Sequence, residues 1–150
     1  MLTVSLRSLG DDMIGSLDEN KALVRRYFEE IANQGKLAVA EEIITPEHIT
    51  DIQSLTRKLR AAFPDFHITV EDQIAEGDMV ATIFTATGTH RGVWQSQIGP
   101  IPATGKRFSH GGVRVFRISG GKLVDTWGGA DTIAQMQQLG VLPTPSGGAG

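Results

Sequence analysis

The chain contains no cysteine among its 150 residues. This absence excludes a disulfide framework, a thiolate nucleophile and a zinc site built on cysteine. An excess of basic residues is also lacking, since the formal net charge is −3. Proteins that bind nucleic acids usually carry a basic stripe, so we expect no nucleic-acid partner.

Long apolar runs are missing as well, and no stretch approaches the ~18 residues that a membrane span needs. Residues 1–16 show no basic start followed by a long apolar core, as a secretory signal would. We therefore expect no membrane partner and a cytoplasmic location. Hydrophobic residues make up 40% of the chain, which suffices for one domain with a core.

The first half of the chain shows helical spacing. Ser16-Leu17-Asp18-Glu19 matches a capping box and predicts a helix that starts there and ends at Gly35. Residues 1–15 show no clean period and are predicted to form an N-terminal arm. A short helix is predicted over residues 37–44, and Thr45-Pro46 is expected to break it. Thr50 or Asp51 would then cap a third helix.

A period of two replaces the helical spacing from Phe66 onward and predicts strands. The strongest candidates are residues 79–89 and a hairpin of residues 107–118 and 123–127. Residues 90–104 are expected to form a loop with at most a short edge strand. A closing helix is predicted from Asp131 to Gly140, followed by a flexible tail over residues 143–150.

Helices followed by an antiparallel meander predict an α+β fold. We expect one domain over residues 16–142, a cone-shaped roll of N-terminal helices packed on a curved antiparallel sheet. A sheet that wraps around a helical layer leaves an apolar pocket between the two. Such a pocket suits a small, mostly apolar molecule.

Alternation in the strand over residues 107–118 places Phe108, His110, Arg114 and Phe116 on one face. If this face lines the pocket, the histidine can move a proton near neutral pH and the arginine can hold a developing oxyanion. If it is the outer face, both polar residues are merely solvated. The apolar neighbours favour the pocket, because an alternating strand usually turns its apolar side inward.

Two aspartates are candidate bases. Asp125 lies in the middle of a strand, where a carboxylate must be paired, exposed or functional. Pairing with Arg114 or Arg117 is the structural alternative. Asp131 precedes the last helix and could simply cap it. Trp94 and Trp127 are expected to form walls of the pocket or core, and the histidines show no metal-ligand spacing, so no metal is predicted.

Several segments carry a family resemblance that covers roughly residues 20–142. They read ALVRRYFEEIANQGKL, THRGVW, GPIPATGKRFSHGGVRVFRISGGKLVDTW and ADTIAQMQQLG. The chain resembles the SnoaL-like polyketide cyclase (ester cyclase) family of the nuclear-transport-factor-two-like superfamily. The resemblance implies a cone-shaped fold, often dimeric through the sheet. It also implies acid–base ring closure of a polyketide without a metal or organic cofactor.

Three positions depart from the family pattern. The family's catalytic aspartate aligns with Gly128, its assisting histidine with Arg114, and its asparagine with Thr50. The segment between Ile49 and Leu55 is also shorter than in relatives. Two hypotheses follow. In the first, the protein is a cofactor-free cyclase or isomerase, with Asp125 or Asp131 as the base, His110 as the proton shuttle and Arg114 as the oxyanion partner. In the second, it is a non-catalytic ligand-binding or dimerisation module.

Overall fold

The computed structural model describes the backbone of residues 6–145 and the side chains of residues 16–145. Part of the predicted arm (residues 1–5) and part of the predicted tail (residues 146–150) lie outside this range. Helices come first and an antiparallel sheet follows, so the predicted α+β class is confirmed. The sheet stays open and does not close into a barrel.

The helical layer consists of a long first helix, a short connection and a second long helix. Helix α1 continues without a break into a π-helical turn, and the short connection includes a turn of 3₁₀ helix. The bounds are Leu6–Arg26 for α1, Tyr27–Asn33 for the π-helix, Leu37–Val39 for the 3₁₀ turn, Ala40–Ile43 for α2 and Pro46–Ala62 for α3.

Two predicted helix starts are wrong. Helix α1 begins at Leu6 and not at Ser16, because extending an existing helix adds one hydrogen bond for each residue fixed. Helix α3 begins with Pro46 and not after Thr50 or Asp51. Proline is favourable at the first helical position, where its missing N–H has no partner to lose. Pro46 therefore starts this helix and does not merely end the previous one.

The sheet contains four antiparallel strands in the order β1-β2-β5-β6. Strands β3 and β4 form a separate two-stranded hairpin, which corrects the predicted loop over residues 90–104. The bounds are His67–Glu76 for β1, Met79–Thr89 for β2, Trp94–Ser96 for β3, Gly99–Ile101 for β4, Arg107–Ser119 for β5 and Lys122–Ala130 for β6; helix α4 follows over Thr132–Gln138.

The predicted β5–β6 hairpin is present, and its turn uses two glycines with positive φ. Gly120 has φ of 58° and Gly121 has φ of 75°, as a two-residue hairpin turn that follows the twist of the strands requires. The turn sets the register with which β6 returns along β5. That register decides which side chains of β6 face the helices.

A bulge in β6 changes the faces that alternation alone predicts. Arg117 pairs with Asp125 and Ile118 pairs with Leu123, so Val124 is an extra residue. Leu123 is buried, whereas Asp125 and Trp127 are exposed. Strict alternation would place these three residues on one face, whereas the bulge shifts the alternation by one residue.

The inner face of β5 follows the predicted alternation. Phe108, His110 and Phe116 are buried beneath the helical layer, and Arg114 is half-buried on the same face. Asn33, at the end of the π-helix, fastens this layer to β1. Its side chain donates to Ile68 O at 2.9 Å and accepts from Ile68 N at 2.7 Å.

The β3–β4 hairpin is held at its base by His90, which is fully buried. The backbone N–H of Thr104 donates to His90 Nδ1 at 3.2 Å, and His90 N donates to Lys106 O at 2.8 Å. Burial lowers the pKa of His90, so its ring stays neutral near neutral pH. Trp94 on the hairpin packs edge-on against Phe63 at the end of α3, which holds the hairpin against that helix.

Candidate functional site

Two cavities lie between the helical layer and the inner face of the sheet. The chamber lined by more residues, here the main cavity, has a volume of about 280 Å³ and is walled mainly by apolar side chains of the π-helical turn, α3 and β2. Its polar wall includes His110 and Arg114, as the alternation of β5 predicted. Ligand sites commonly combine an apolar lining with a few convergent polar groups.

His110 presents one ring nitrogen without a partner. Its Nε2 lies 3.1 Å from Gln135 Oε1, and its ring stacks on Phe108 at a centroid distance of 5.1 Å. With the amide oxygen accepting, the proton sits on Nε2 and the lone pair on Nδ1. Among the described residues Nδ1 has no hydrogen-bond partner although it is buried. An unpartnered buried acceptor is costly and therefore indicates a role that a ligand could satisfy.

Arg114 supplies positive charge to the same cavity. Its Nη1 donates to Thr126 Oγ1 at the long distance of 3.4 Å. Among the described residues, no carboxylate lies within ion-pair distance of its guanidinium. A guanidinium with spare donors in an apolar cavity is suited to binding an anionic oxygen.

A second cavity, here called the smaller cavity because fewer described residues line it, also has a volume of about 280 Å³ and adjoins the main one. Tyr27, Ile52 and Thr126 line both cavities and therefore form the boundary between them. Among the described residues, carboxylates line only this second cavity. They are Asp51 and Asp125, and His48 lines the same cavity.

The aromatic residues predicted to bind substrate occupy different places. Trp94 lines the main cavity and Phe116 lines the smaller one. Phe108 is 1% exposed and lies in the core, where it supports the ring of His110. Trp127 lies on the outer face, where the guanidinium of Arg117 sits 5.5 Å from its ring centroid.

The two candidate bases also lie in different places. Asp125 is exposed, accepts from the N–H of Thr126 at 2.9 Å and borders the smaller cavity. Arg117, its cross-strand partner, instead lies 3.5 Å from Asp78. Asp131 caps α4 by accepting from Ala134 N at 3.0 Å. Within the described residues, the lining of the main cavity includes neither aspartate.

Sequence reasoning missed three polar residues of the site. Tyr27 falls within the predicted first helix and gave no signal of a role in the site, and neither did Gln135 or Thr126. The placement of Gln135 follows from the docking of α4 on β5, where Gln138 also exchanges two hydrogen bonds with the backbone of Ser109. The placement of Thr126 follows from the bulge, which turns it toward the cavities.

The described part of the chain has no cluster of three or more His, Asp or Glu side chains arranged to hold a metal ion. It likewise has no helix with the length and apolar character of a membrane span.

The sequence profile of SnoaL-like polyketide cyclases matches residues 22–139. The chain belongs to the SnoaL-like polyketide cyclase family. The match includes the end of α1 and the later helices, the sheet and the residues of both cavities. None of the curated proteins compared with the chain matches it.

Solved structures share the fold of this SnoaL-like chain. TsrD from Streptomyces laurentii has a TM-score of 0.76 and 24% identity, over 83% of this chain and 97% of that one. AclR from Streptomyces galilaeus, a candidate hydroxylase, has a TM-score of 0.74 and 28% identity, and the match covers 89% of this chain and 88% of AclR. IdmH from Streptomyces antibioticus, a candidate polyketide cyclase, has a TM-score of 0.67 and 27% identity, and the match covers 81% of this chain and 99% of IdmH.

Gly128, which the resemblance aligns with the catalytic aspartate of SnoaL-like cyclases, lies directly opposite Arg114. Its φ is 137°, and a Cβ built on it would lie 2.2 Å from Val113 O. A side chain therefore requires the backbone of β5 or β6 to move. The structure is adapted to glycine here, and Thr50, the other departure, is exposed on α3.

We predict that Gly128→Asp destabilises the protein without supplying a base. Backbone strain alone costs about 1–3 kcal/mol, and the contact with the β5 carbonyl adds to it. Gly129→Asp is the matched control, because a Cβ there meets nothing within 4 Å. Chemical denaturation of both variants measures the difference. Equal free energies of unfolding would contradict the assignment of strain to this position.

Proposed function

We propose that this protein is a cofactor-independent cyclase or isomerase that acts on a small, apolar carbonyl compound of the polyketide type. The observation that carries the proposal is the unpartnered Nδ1 of buried His110, which shares an apolar cavity with the guanidinium of Arg114. Membership of the SnoaL-like family supports ring closure as the reaction. The fold alone would not, because one fold hosts many activities.

In the proposed reaction His110 acts as the general base. Its Nδ1 takes a proton from the carbon next to a carbonyl, and the carbonyl becomes an enolate. Arg114 stabilises the negative charge on the enolate oxygen. The enolate carbon then attacks a second carbonyl of the same molecule and forms the carbon–carbon bond. His110 returns its proton to the new alkoxide, so the ring closure is an isomerisation with no net loss of atoms.

Gln135 has a positioning role in this scheme. Its amide oxygen accepts a hydrogen bond from Nε2–H of His110 and thereby leaves the lone pair of the ring on Nδ1. The stacking of the ring on Phe108 limits its rotation. Asp125 and Asp131, which the sequence suggested as bases, remain alternatives: Asp125 could act from the smaller cavity, whereas Asp131 is engaged as a helix cap.

A second candidate function is ligand binding without catalysis. It is favoured by glycine at position 128 and by a main cavity whose described lining contains no carboxylate. In that case His110 and Arg114 would recognise an oxygen of the ligand without transferring a proton. The two candidates differ in one respect, which is conversion of the bound molecule.

Substitution of His110 and Arg114 tests the proposed reaction. We expect His110→Gln to slow deuterium exchange next to the carbonyl of 2-tetralone by roughly 10²–10⁴-fold, the usual contribution of a general base. Arg114→Gln should slow it by roughly 10²–10³-fold, because the enolate loses its donor. Proton NMR in D₂O follows the exchange, and chromatography of linear polyketide esters follows ring closure.

His67→Gln is the matched control, because His67 is an exposed histidine on the neighbouring sheet edge. Asp125→Asn and Asp131→Asn, made singly, test the carboxylates. Loss of exchange in either aspartate variant with full activity of His110→Gln would contradict His110 as the base. Tight binding of 2-tetralone without exchange by the unmodified protein would support the non-catalytic module.

We also propose that the protein forms a homodimer through the outer face of the sheet. An apolar row runs across all four strands of this face, through Ile74, Ala81, Val115 and Trp127. Next to it, Ile83 pairs with Val113. Ile74 is 61% exposed and Trp127 is 41% exposed, and contiguous exposed apolar patches of this kind usually mark contact surfaces.

The double variant Ile83→Glu/Val113→Glu tests the dimer. Two buried carboxylates in the centre of the proposed interface should dissociate it. Sedimentation velocity at micromolar concentration should show a dimer for the unmodified protein and a monomer for the variant. Val93→Glu, directly before β3, is the control, because Val93 is also exposed but lies outside the four-stranded sheet. A monomeric unmodified protein would overturn the proposal.

A further inference from the structure

Tyr27 occupies the boundary between the two cavities. It lines both of them, together with Ile52 and Thr126. Its ring packs edge-on against Phe28 at a centroid distance of 5.1 Å and in a tilted arrangement against Phe116 at 5.0 Å. These contacts fix the plane of the phenol, so its position relative to the cavities is well defined.

The π-helical turn accounts for this placement. Tyr27 is its first residue, directly after the last residue of α1. A π-turn is wider than an α-turn, and such turns occur frequently at functional sites. Here the consecutive residues Tyr27 and Phe28 both face the cavities, which brings a phenol into an otherwise apolar wall.

The phenol is a proton-bearing group that could serve a ligand. Burial raises the pKa of Tyr27, and the nearby charge of Arg114 partly opposes that rise. The hydroxyl therefore keeps its proton near neutral pH and can act as a hydrogen-bond donor. Among the described residues, its hydroxyl has no hydrogen-bond partner, which leaves the donor available to a ligand.

We propose that Tyr27 is a further substrate-binding group, which donates a hydrogen bond to the same enolate oxygen that Arg114 stabilises. This inference deepens the proposed function and rests on it. A neutral phenol and a guanidinium together would provide two donors for one oxygen, as in sites that stabilise oxyanions. No proton is transferred from the phenol in this role, because hydrogen bonding alone stabilises the charge.

The position of Tyr27 also defines the class of substrate. The oxygen would lie where the two cavities meet, with the apolar body of the ligand in the main cavity. Any second substituent would extend past Ile52 and Thr126 into the smaller cavity. Fused aromatic or partly reduced bicyclic compounds with an enolisable carbonyl have this shape. The volume of each cavity alone lies near the lower end of the range for ligand sites, which is roughly 300–1,000 Å³.

A stable analogue of the enolate tests the role of Tyr27 without turnover. The probe is 6-cyano-2-naphthol, whose fluorescence distinguishes naphthol from naphtholate. We expect the unmodified protein to lower the apparent pKa of the bound probe. Tyr27→Phe should reduce the ratio of bound naphtholate to naphthol by roughly 10–100-fold, the range for a hydrogen bond to a charged group.

Thr56→Val is the matched control, since it removes a hydroxyl of the main cavity that already donates to Ile52 O at 2.8 Å. This variant should leave the ratio unchanged. An unchanged ratio in Tyr27→Phe would overturn the role of Tyr27. The proposed function fails separately, if the unmodified protein binds the probe but exchanges no proton of 2-tetralone.

A second measurement covers the case in which Tyr27→Phe does not fold. Because Tyr27 is the only tyrosine of the chain, biosynthetic labelling with 3-fluorotyrosine places one fluorine at this position and strengthens the phenol as a donor. We expect the ¹⁹F resonance to shift on probe binding and the bound naphtholate fraction to rise. A resonance that does not respond to the bound probe would contradict the proposal.

Discussion

The pairing register of β5 between β2 and β6 determines which side chains face the cavities. Side chains alternate along a strand, so a shift of one residue would turn His110 and Arg114 to the outer face. Phe108 and Phe116 share their face and are buried in the core. The burial of these phenylalanines stabilises the sheet and, in the same step, directs the polar residues between them into the site.

The charge balance of the main cavity explains the kind of ligand that it favours. Its described lining contains a histidine nitrogen without a hydrogen-bond partner and guanidinium donors, but no carboxylate. In surroundings of low polarity, such donors interact more strongly with a negative oxygen than they would in water. The site is therefore suited to a ligand that is neutral when it binds and becomes anionic when it loses a proton.

Local pattern predicted much of this structure, because strand alternation and helix ends depend on neighbouring residues. The inner face of β5 and the cap at Asp131 are examples. The bulge at Val124 and the π-turn at Tyr27 each displace the pattern by one residue and have no clear local signature. Both depend on packing between distant segments, and both decide the site. The bulge turns Thr126 toward the two cavities and leaves Asp125 exposed beside the smaller one. The π-turn places Tyr27 at the boundary between them.

A crystal structure with bound 2-naphthol, the stable enol counterpart of 2-tetralone, tests the central claim most directly. The account predicts that the ring system fills the main cavity, with its oxygen within ~3.2 Å of an Arg114 nitrogen and its adjacent carbon facing His110 Nδ1. The claim is contradicted if the ligand binds elsewhere, or if its oxygen faces only apolar side chains while His110 Nδ1 bonds to the protein.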